Sequence, residues 1–262
     1  MPQLDIYQVD AFTAAPFGGN PAAVVPLQAW LPDETLQRIA EENNLSETAY
    51  FVRKGDVYEL RWFTPAVEVD LCGHATLASA WVLFEQLGAT EDVLRFATRS
   101  GELQVRRAGD RLAMDFPTKR PEAQEIPAGL LQALGLPDAQ AFYKTDDYLV
   151  VIDDETLIDA LKPDFAALAA FDTRGVAVTA PSAQFDFVSR WFGPRVGVNE
   201  DPVTGSAHTS LAPYWAQRLG QRSLSAQQGG ARKGQLHCEV LDNGRVIISG
   251  QAALYMRGLI FI

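Results

Sequence analysis

The sequence predicts an α+β protein built from two similar halves, each a curled sheet wrapped around one helix. The first observation is a repeated block. The letters RWF stand at residues 61–63 and again at 190–192, and each copy is followed by a proline and then by a glycine-containing helix start. The second observation is that each half carries many short strand patterns and one long apolar helix pattern. Repetition of this kind indicates two copies of one structural unit.

The two predicted domains cover residues 1–116 and 117–251. The stretch 117–127 contains three prolines and charges of both signs, which is typical of a connection between domains. A last apolar strand is predicted at 252–262. A Gly-x-Gly-x-x-Gly turn is absent from the sequence, which disfavours a doubly wound nucleotide-binding fold.

In the first half, a mixed strand is predicted over 4–12, and residues 17–25 form a turn that leads into a buried strand. A helix is predicted over 32–42, because Leu36, Ile39 and Ala40 share one face and Asp33 is a suitable N-cap. The other predicted elements are strands at 48–52 and 58–62, a helix at 73–86, and strands at 93–97, 102–107 and 111–116.

The second half is also predicted to contain short strands and a few helices. The DNG turn at 242–244 is a strong hairpin signal between its last two strands. The predicted elements are a helix at 128–134, strands at 141–144 and 147–152, helices at 155–161 and 164–169, strands at 175–180 and 184–192, a helix at 205–219, and strands at 236–241 and 245–249.

Composition excludes several classes of function. The net charge is −11 and no Lys/Arg cluster breaks the acidic balance, so we expect no nucleic-acid partner. The N-terminus has no signal-peptide pattern and no apolar run is long enough to span a membrane, so we expect no membrane association. Two cysteines suit a reducing compartment, which predicts a cytoplasmic location. Three histidines form no spaced ligand set, so no metal is expected.

The two helix starts are the first candidate binding features. Gly73 follows Cys72 and Gly205 follows Thr204, each at the beginning of a predicted helix. Free backbone N–H groups and the positive end of the helix dipole would hold a carboxylate or a developing enolate there. The alternative is that these small residues only permit tight packing of helix on sheet.

Three side chains near these helix starts are open to two interpretations. His74 either donates a proton or binds a carboxylate, or it is a simple cap. Asp201 either caps the second helix or accepts a hydrogen bond from a substrate amine or from His74. A thiol nucleophile at Cys72 is disfavoured, because residues two apart at a helix start are not expected to face each other.

Glu47 is the candidate acid–base residue. It lies between a predicted helix and an apolar strand at 49–52. A carboxylate held there would be partly desolvated, an environment that suits general acid–base work. The alternative is an ordinary surface glutamate in a turn.

Several motifs occur together and in order, and through them the chain resembles the phenazine-biosynthesis PhzF-like family of isomerases, within the diaminopimelate epimerase fold. These motifs are DAFT at 10–13, FGGNPA at 17–22, NLSETAY at 44–50, RWFTP at 61–65, LCGHAT at 71–76, EDPVTGSA at 200–207 and QG at 228–229. The resemblance implies two β-barrel-like domains, each around a central helix, with the active site in the cleft between them. It also implies that the strand at 252–262 returns to the first domain. Proteins of this fold often form homodimers, but no exposed apolar stripe in this sequence requires one, so the oligomeric state stays open.

The resemblance assigns roles to eight residues. Glu47 matches the family's general acid/base, and the other matches are the polar site residues His74, Asp201 and Ser206, the carboxylate-binding backbone at Gly73, Gly205 and Ala207, and Asn20, which contacts the site or only forms the turn. The family's named member moves a proton within a cyclic dihydro-hydroxyanthranilate without metal or organic cofactor.

One difference from the epimerases and racemases of this fold limits the reactions that the chain could catalyse. Epimerases and racemases of this fold use two opposed cysteines, one at each helix start, whereas this chain has Cys72 and Thr204. A threonine hydroxyl is too weak an acid to replace a thiol. We therefore predict a cofactor-independent isomerase that shifts a proton within a small carboxylic acid, cyclic or amino-substituted, with one Glu as acid/base. The alternatives are an amino-acid epimerase or racemase and a non-catalytic binder of a small carboxylate.

Overall fold

The computed structural model describes residues 3–262; Met1 and Pro2, which the first predicted domain includes, lie outside the described residues. The elements up to Pro117 are β1 (Gln3–Ala11), β2 (Asn20–Leu27), α1 (Asp33–Asn43), β3 (Glu47–Lys54), β4 (Val57–Phe63), β5 (Glu68–Val69), α2 (Gly73–Glu85), β6 (Val93–Thr98), β7 (Gly101–Ala108) and β8 (Arg111–Pro117).

The remaining elements complete the chain. They are β9 (Glu122–Ala123), α3 (Leu130–Leu134), β10 (Ala141–Lys144), β11 (Tyr148–Val151), α4 (Glu155–Ala160), α5 (Phe165–Ala169), β12 (Val176–Pro181), β13 (Phe187–Gly193), a 3₁₀ turn (Pro194–Val196), β14 (Val198–Asp201), α6 (Gly205–Leu219), β15 (Ser223–Gln228), β16 (Gly234–Val240), β17 (Arg245–Gly250) and β18 (Ala252–Phe261).

The chain forms two compact units. The first contains the residues up to Asp115 together with Ser249–Ile262, and the second is Phe116–Ile248. Within the first unit, β18 runs antiparallel to β1, from Phe261 opposite Gln3 to Ala252 opposite Ala11. The last strand of the chain is therefore part of the first unit's sheet.

The two units have sheets with the same succession of pairings. In the first unit, β1 and β2 are antiparallel, β2 and β3 parallel, β3 and β4 antiparallel, β4 and β6 parallel, and β6 and β7 antiparallel. In the second, β10, β11, β12, β13, β15 and β16 repeat that series in the same order. The prediction of two similar α+β halves is confirmed.

Each unit contains one long helix with much of its surface buried. Ten of the 13 residues of α2 are buried, and the helix packs against β1, β2, β3 and β18. Eight of the 15 residues of α6 are buried, and it packs against β15 and β16. A helix that is apolar on most sides is stable only when sheet surrounds it, which explains why these two helices lack a polar stripe.

The repeated RWF block has the same structural role in both units. Arg61 of β4 holds Glu68 of β5 with two hydrogen bonds of 2.7 and 2.8 Å, and its guanidinium lies 5.1 Å from the Phe63 ring centroid. Arg190 of β13 holds Glu200 with two bonds of 2.8 Å and lies 5.0 Å from the Phe192 ring centroid. Bidentate Arg–carboxylate pairs fix geometry well, so the block orients the loop that leads to each long helix.

Two sequence-based predictions need correction. Asp33 is the first residue of α1, and Pro32 occupies the N-cap without a side-chain bond; Asp33 instead accepts a hydrogen bond from Arg61 at 2.9 Å. The short strands β5, β9 and β14 and the longer β15 (Ser223–Gln228) were not predicted. The inward-facing positions of β15 end in a buried glutamine instead of an apolar residue, which hides its pattern. Among residues 3–262, no helix has the length and apolar character needed to cross a membrane.

His208, in the core of the second unit, makes the stability of the protein sensitive to acid. Its Nδ1–H donates to the Thr204 carbonyl at 3.0 Å, and its Nε2 is buried without a hydrogen-bond partner in the described part of the chain. Burial lowers the pKa of His208 from 6.5 to about 4, because the charged ring would be desolvated. Between these two pH values the unfolded chain binds a proton that the folded chain does not, so the free energy of unfolding falls as the pH falls.

We expect this single group to remove about 3 kcal/mol of stability between pH 6.5 and pH 4, at about 1.36 kcal/mol per unit of pKa difference. Urea unfolding of wild type and of His208→Asn across this range measures the effect. The free energy of unfolding of the variant should be lower than that of wild type near pH 7 but should fall less steeply as the pH falls. Parallel slopes for the two proteins would show that His208 does not titrate as described.

Candidate functional site

The first unit brings Glu47 and His74 together. The chain leaves α1 through Asn44, which takes a left-handed conformation (φ 48°) that asparagine tolerates well, and Glu47 then begins β3. Its carboxylate Oε2 lies 3.1 Å from Nε2 of His74, the second residue of α2. The two side chains are 15% and 5% exposed, so the pair is largely desolvated. The predicted partial burial of Glu47 is confirmed.

Asn20 contacts the other nitrogen of the same ring. Gly19 places it there: Gly19 has a φ of +57°, and a Cβ on it would lie 2.0 Å from the carbonyl oxygen of Ala11, so only glycine fits. The Asn20 amide nitrogen is 3.1 Å from Nδ1 of His74 and is fully buried. When Asn20 donates to Nδ1, the hydrogen of the neutral ring is on Nε2, the nitrogen nearer to Glu47. Nε2 and Oε2 are in close contact, but neither atom has an aligned hydrogen-bond partner among the described residues.

Cys72 also faces the ring, which corrects a sequence-based prediction. Its Sγ lies 3.5 Å from Nδ1 of His74, although the two residues are only two apart. Cys72 is the N-cap of α2 and has an extended backbone (φ −144°, ψ 109°), which turns its side chain back over the first turn. Burial raises the pKa of Cys72 to about 11, with the negative charge of Glu47 acting in the same direction. The thiol is therefore neutral near pH 7 and unsuited to nucleophilic attack.

The electrostatics of His74 combine opposing effects. Burial by itself lowers the pKa of the ring, but the interactions with Cys72 and Glu47 together outweigh burial and raise the pKa above its usual value. Because the thiol of Cys72 is neutral near pH 7, the Glu47 carboxylate is the neighbour that supports the charged ring. A charged ring carries a hydrogen on Nδ1, which Asn20 accepts only through its oxygen, so the charge of His74 and the orientation of the Asn20 amide are linked.

Glu47, Cys72 and His74 also form a group with metal-ligand chemistry, which the absence of spaced ligands in the sequence did not predict. One ligand atom of each lies within 4.8 Å of the others. However, His74 turns Nδ1 toward Cys72 and Nε2 toward Glu47. One ion binds one imidazole nitrogen, so it would take either the thiol side or the carboxylate side of the ring in this arrangement. Hydrogen-bonding contacts at Nδ1 and a close charge pair at Nε2 describe this geometry better than ligation of one metal ion.

Gly73 is the first residue of α2 in the first unit. The second unit holds the remaining predicted residues around the start of α6. Thr204 is the N-cap and Gly205 and Ser206 are the first two helical residues. The Ala207 amide donates to the Thr204 carbonyl at 3.1 Å, so it is already engaged. The amides of Gly205 and Ser206 have no acceptor within the described chain and remain available to an anion.

Asp201 is held by a small hydrogen-bond network and does not cap α6. Its Oδ2 accepts from the Thr204 hydroxyl at 2.7 Å. The buried amide of Gln228 donates to the Thr204 hydroxyl oxygen at 3.0 Å and accepts from the Thr204 backbone N–H at 3.0 Å. Thr204 thus orients the Asp201 carboxylate, a role that its position as counterpart of Cys72 did not suggest.

Two charged residues that the sequence analysis missed complete this unit's cluster. Arg174 donates to both oxygens of Asp147, at 2.8 and 2.5 Å, and its Nη1 donates to the Ser206 hydroxyl oxygen at 2.9 Å. Trp191 donates its indole N–H to Asp147 at 3.1 Å. No motif marks Arg174 or Asp147, which precede strands without any distinctive neighbour in the sequence.

The pairing of strands shows which residues correspond in the two units. Phe63 of β4 lies opposite Thr48, and Phe192 of β13 lies opposite Val176. Glu47, one residue before Thr48, therefore corresponds to Gly175, one residue before Val176. At the helix starts, Cys72 corresponds to Thr204 and His74 to Ser206. The second unit has no acid–base group at any of these three positions.

Comparisons with known proteins agree with the two-unit fold. A family model described as phenazine biosynthesis-like protein matches residues 9–258. An uncharacterized isomerase of Pseudomonas aeruginosa is 69% identical over 260 residues, covering 99% of this chain and 100% of the relative. A crystal structure of a PhzF family phenazine biosynthesis protein from Enterococcus faecalis has 47% identity and a TM-score of 0.97, with both chains fully covered.

A more distant structure shows how far the likeness of fold extends. A hydroxyproline epimerase from Agrobacterium vitis has a TM-score of 0.59 over 98% of this chain and 92% of its own. The sequences are 9% identical, so this similarity concerns the fold alone.

Proposed function

The chain belongs to the phenazine biosynthesis-like family, whose similar members include named isomerases, and on this premise we propose that it is an isomerase that shifts a proton within a small carboxylic acid. Glu47 is the single acid/base, and the reaction uses no metal or organic cofactor. The substrate is cyclic or amino-substituted, with an allylic or enamine-like system along which the proton moves.

The observation that carries this proposal is the asymmetry between corresponding positions. The partly buried Glu47 and the buried His74 form a pair in the first unit, whereas Gly175 and Ser206 stand at these positions in the second. A reaction with two opposed bases needs an acid–base group on each side of the substrate carbon. One carboxylate is enough when the proton leaves and returns on the same face.

The proton transfer balances without any other reactant. The Glu47 carboxylate takes a proton from one carbon of the allylic system, and the electron pair of that C–H bond forms a new double bond to the middle carbon. The pair of the old double bond moves to the far carbon, which takes the same proton back from Glu47. The enzyme ends in its starting state. His74, whose Nε2 lies 3.1 Å from Oε2 of Glu47, stabilises the carboxylate as a charged ring.

The residues of the second unit suit binding. The Gly205 and Ser206 amides and the dipole of α6, a helix of 15 residues, favour a carboxylate. Asp201, with its orientation fixed by Thr204, suits a substrate amine or hydroxyl. Gly73 opens α2 in the same way and would stabilise negative charge that develops during transfer.

Two alternatives remain to be tested against this proposal. An amino-acid epimerase would need a second acid near pH 7, and Thr204 is a poor one because its hydroxyl is engaged with Asp201. A binder without catalytic activity would bind carboxylates but leave carbon-bound hydrogen in place.

Proton NMR in D2O tests the three functions together. Purified protein is incubated with trans-2,3-dihydro-3-hydroxyanthranilate and, separately, with single enantiomers of amino acids such as proline. Product signals from the dihydro acid support the isomerase. Deuterium exchange with loss of optical activity in an amino acid would favour an epimerase, and unchanged spectra for a panel of cyclic and amino-substituted acids that bind would favour the binder.

A further inference from the structure

Arg174 fixes the hydrogen-bonding direction of Ser206. A guanidinium has donors and no acceptor, so in the 2.9 Å contact between Nη1 and Oγ the serine oxygen is the acceptor. The hydroxyl hydrogen of Ser206 is then left to donate to another group. Ser206 thus becomes a donor whose hydroxyl is polarised by a neighbouring cation, next to the free amides of Gly205 and Ser206 itself.

Arg174 is itself held in place by buried partners. Asp147, whose side chain is 9% exposed, accepts from two nitrogens of Arg174 and also from the Trp191 indole N–H. The guanidinium also lies 5.4 Å from the centroid of the Trp191 ring. A bidentate carboxylate and an aromatic face restrict a long side chain that is otherwise costly to order. These contacts therefore hold the Arg174 guanidinium in a fixed position.

Comparison of corresponding positions in the two units indicates what the Arg174–Ser206 cluster does. In the first unit, Glu47 contacts His74 at the second position of α2. In the second unit, Arg174, which precedes the counterpart of Glu47 by one residue, contacts Ser206 at the second position of α6. An acid beside a titratable ring is replaced by a permanent cation beside a hydroxyl. The first pair suits proton transfer and the second suits the binding of an anion.

We propose that Arg174 is a positioning residue that sets Ser206 as a hydrogen-bond donor to the carboxylate of the substrate and so gives the protein its preference for anionic over neutral ligands. The inference rests on the proposed function for the identity of the ligand, since it assigns the carboxylate of that substrate to this cluster. Arg174 acts through Ser206, so the two residues contribute as a unit.

A double-mutant cycle with two probe ligands tests the proposal. Calorimetry measures the Kd of 2-aminobenzoate and of 2-aminobenzamide, which differ in the charge of one group, for wild type, Arg174→Gln, Ser206→Ala and the double variant. We expect each single variant to weaken 2-aminobenzoate about tenfold, a typical loss for a hydrogen bond to a charged group. The Kd of 2-aminobenzamide should change less than twofold. The double variant should bind 2-aminobenzoate no more weakly than either single variant does.

Further variants separate positioning from folding and from charge. Ser206→Ala leaves the Arg174–Asp147 pair intact, so it reports on the site even where loss of Arg174 destabilises the unit around Asp147. Arg174→Lys keeps the charge without the planar fork, and we expect it to recover less than half of the lost binding free energy. Arg195→Gln removes another arginine of the same unit, 47% exposed, and should leave both Kd values unchanged.

The outcomes distinguish the inference from the proposed function. Additive losses in the double variant, equal losses for the acid and the amide, or a wild type without preference for the acid would each overturn the role of Arg174. The binding experiment needs no turnover. Selective, non-additive losses together with absence of proton exchange would instead uphold the anion site and contradict the isomerase.

Discussion

Glu47→Gln is expected to lower the rate of proton transfer by about 10³-fold, within the usual contribution of a general acid–base residue. The amide has nearly the same shape as the carboxylate and fits the same place beside His74, but it cannot take up a proton from carbon near neutral pH. Because Glu47 lies at the first position of β3 and retains 15% exposure, the exchange removes no large packing contact. The variant loses the charge that supports the His74 ring, so we expect that ring to be neutral and the protein to be somewhat less stable but still folded, while turnover is lost.

The measurement is the rate of product formation and of deuterium incorporation by NMR, in parallel with wild type. Glu42→Gln, an exposed glutamate near the end of α1, is the matched control and should behave as wild type does. Thermal unfolding of all three proteins verifies the fold. Turnover of Glu47→Gln within a factor of ten of wild type would remove Glu47 from the mechanism and direct attention to Cys72 and His74, the other titratable groups of this cluster.

The sequence predicts the fold well where periodicity and turn residues agree. Helix α6 was predicted over 205–219 and has those bounds, and α2 ends one residue before its predicted end. Both are apolar segments that begin at glycine. Strand β15 escaped prediction because Gln228, which faces inward, breaks the alternation of apolar residues. A buried glutamine is explained by the hydrogen bonds it makes to Thr204, and these depend on a residue 24 positions away.

The candidate site could be predicted in part. The motifs around Glu47 and His74 identify both residues, and the structure places them in contact. The direction of the Cys72 side chain depends on the extended backbone of an N-cap, which residue spacing does not reveal. The pair of Arg174 and Asp147 joins segments 27 residues apart and then reaches Ser206, 32 residues further on. Such contacts follow from the tertiary fold, so no local pattern marks them.

Gly175→Ala is expected to destabilise the second unit by about 3 kcal/mol, at the upper end of the cost of overpacking a core. A Cβ at position 175 would lie 2.1 Å from Cζ2 of the Trp191 indole, and one at Gly193 would lie 2.2 Å from Cη2 of the same ring. The indole therefore fills the space between two glycines. The added methyl group has to displace a rigid ring that is 4% exposed and bonded to Asp147.

Urea unfolding of Gly175→Ala measures this cost, with Gly258→Ala as control, since a Cβ at Gly258 would meet nothing closer than Ile6 Cγ2 at 3.9 Å. Adding Trp191→Phe to Gly175→Ala replaces the indole by a smaller ring and should recover part of the lost stability. A Gly175→Ala protein as stable as the Gly258→Ala control would contradict the described packing of Trp191.

The same packing bears on the chemistry. Position 175 corresponds to Glu47, so the space that an acidic side chain would need in the second unit is already taken by Trp191. If the collision has the expected cost, a second carboxylate base is excluded at this position by sterics as well as by sequence. The indole that excludes it also binds Asp147, which holds Arg174 against Ser206. In the second unit, the packing of Trp191 thus leaves no room for an acidic side chain at position 175. The same packing supports Arg174, a cation that the first unit lacks.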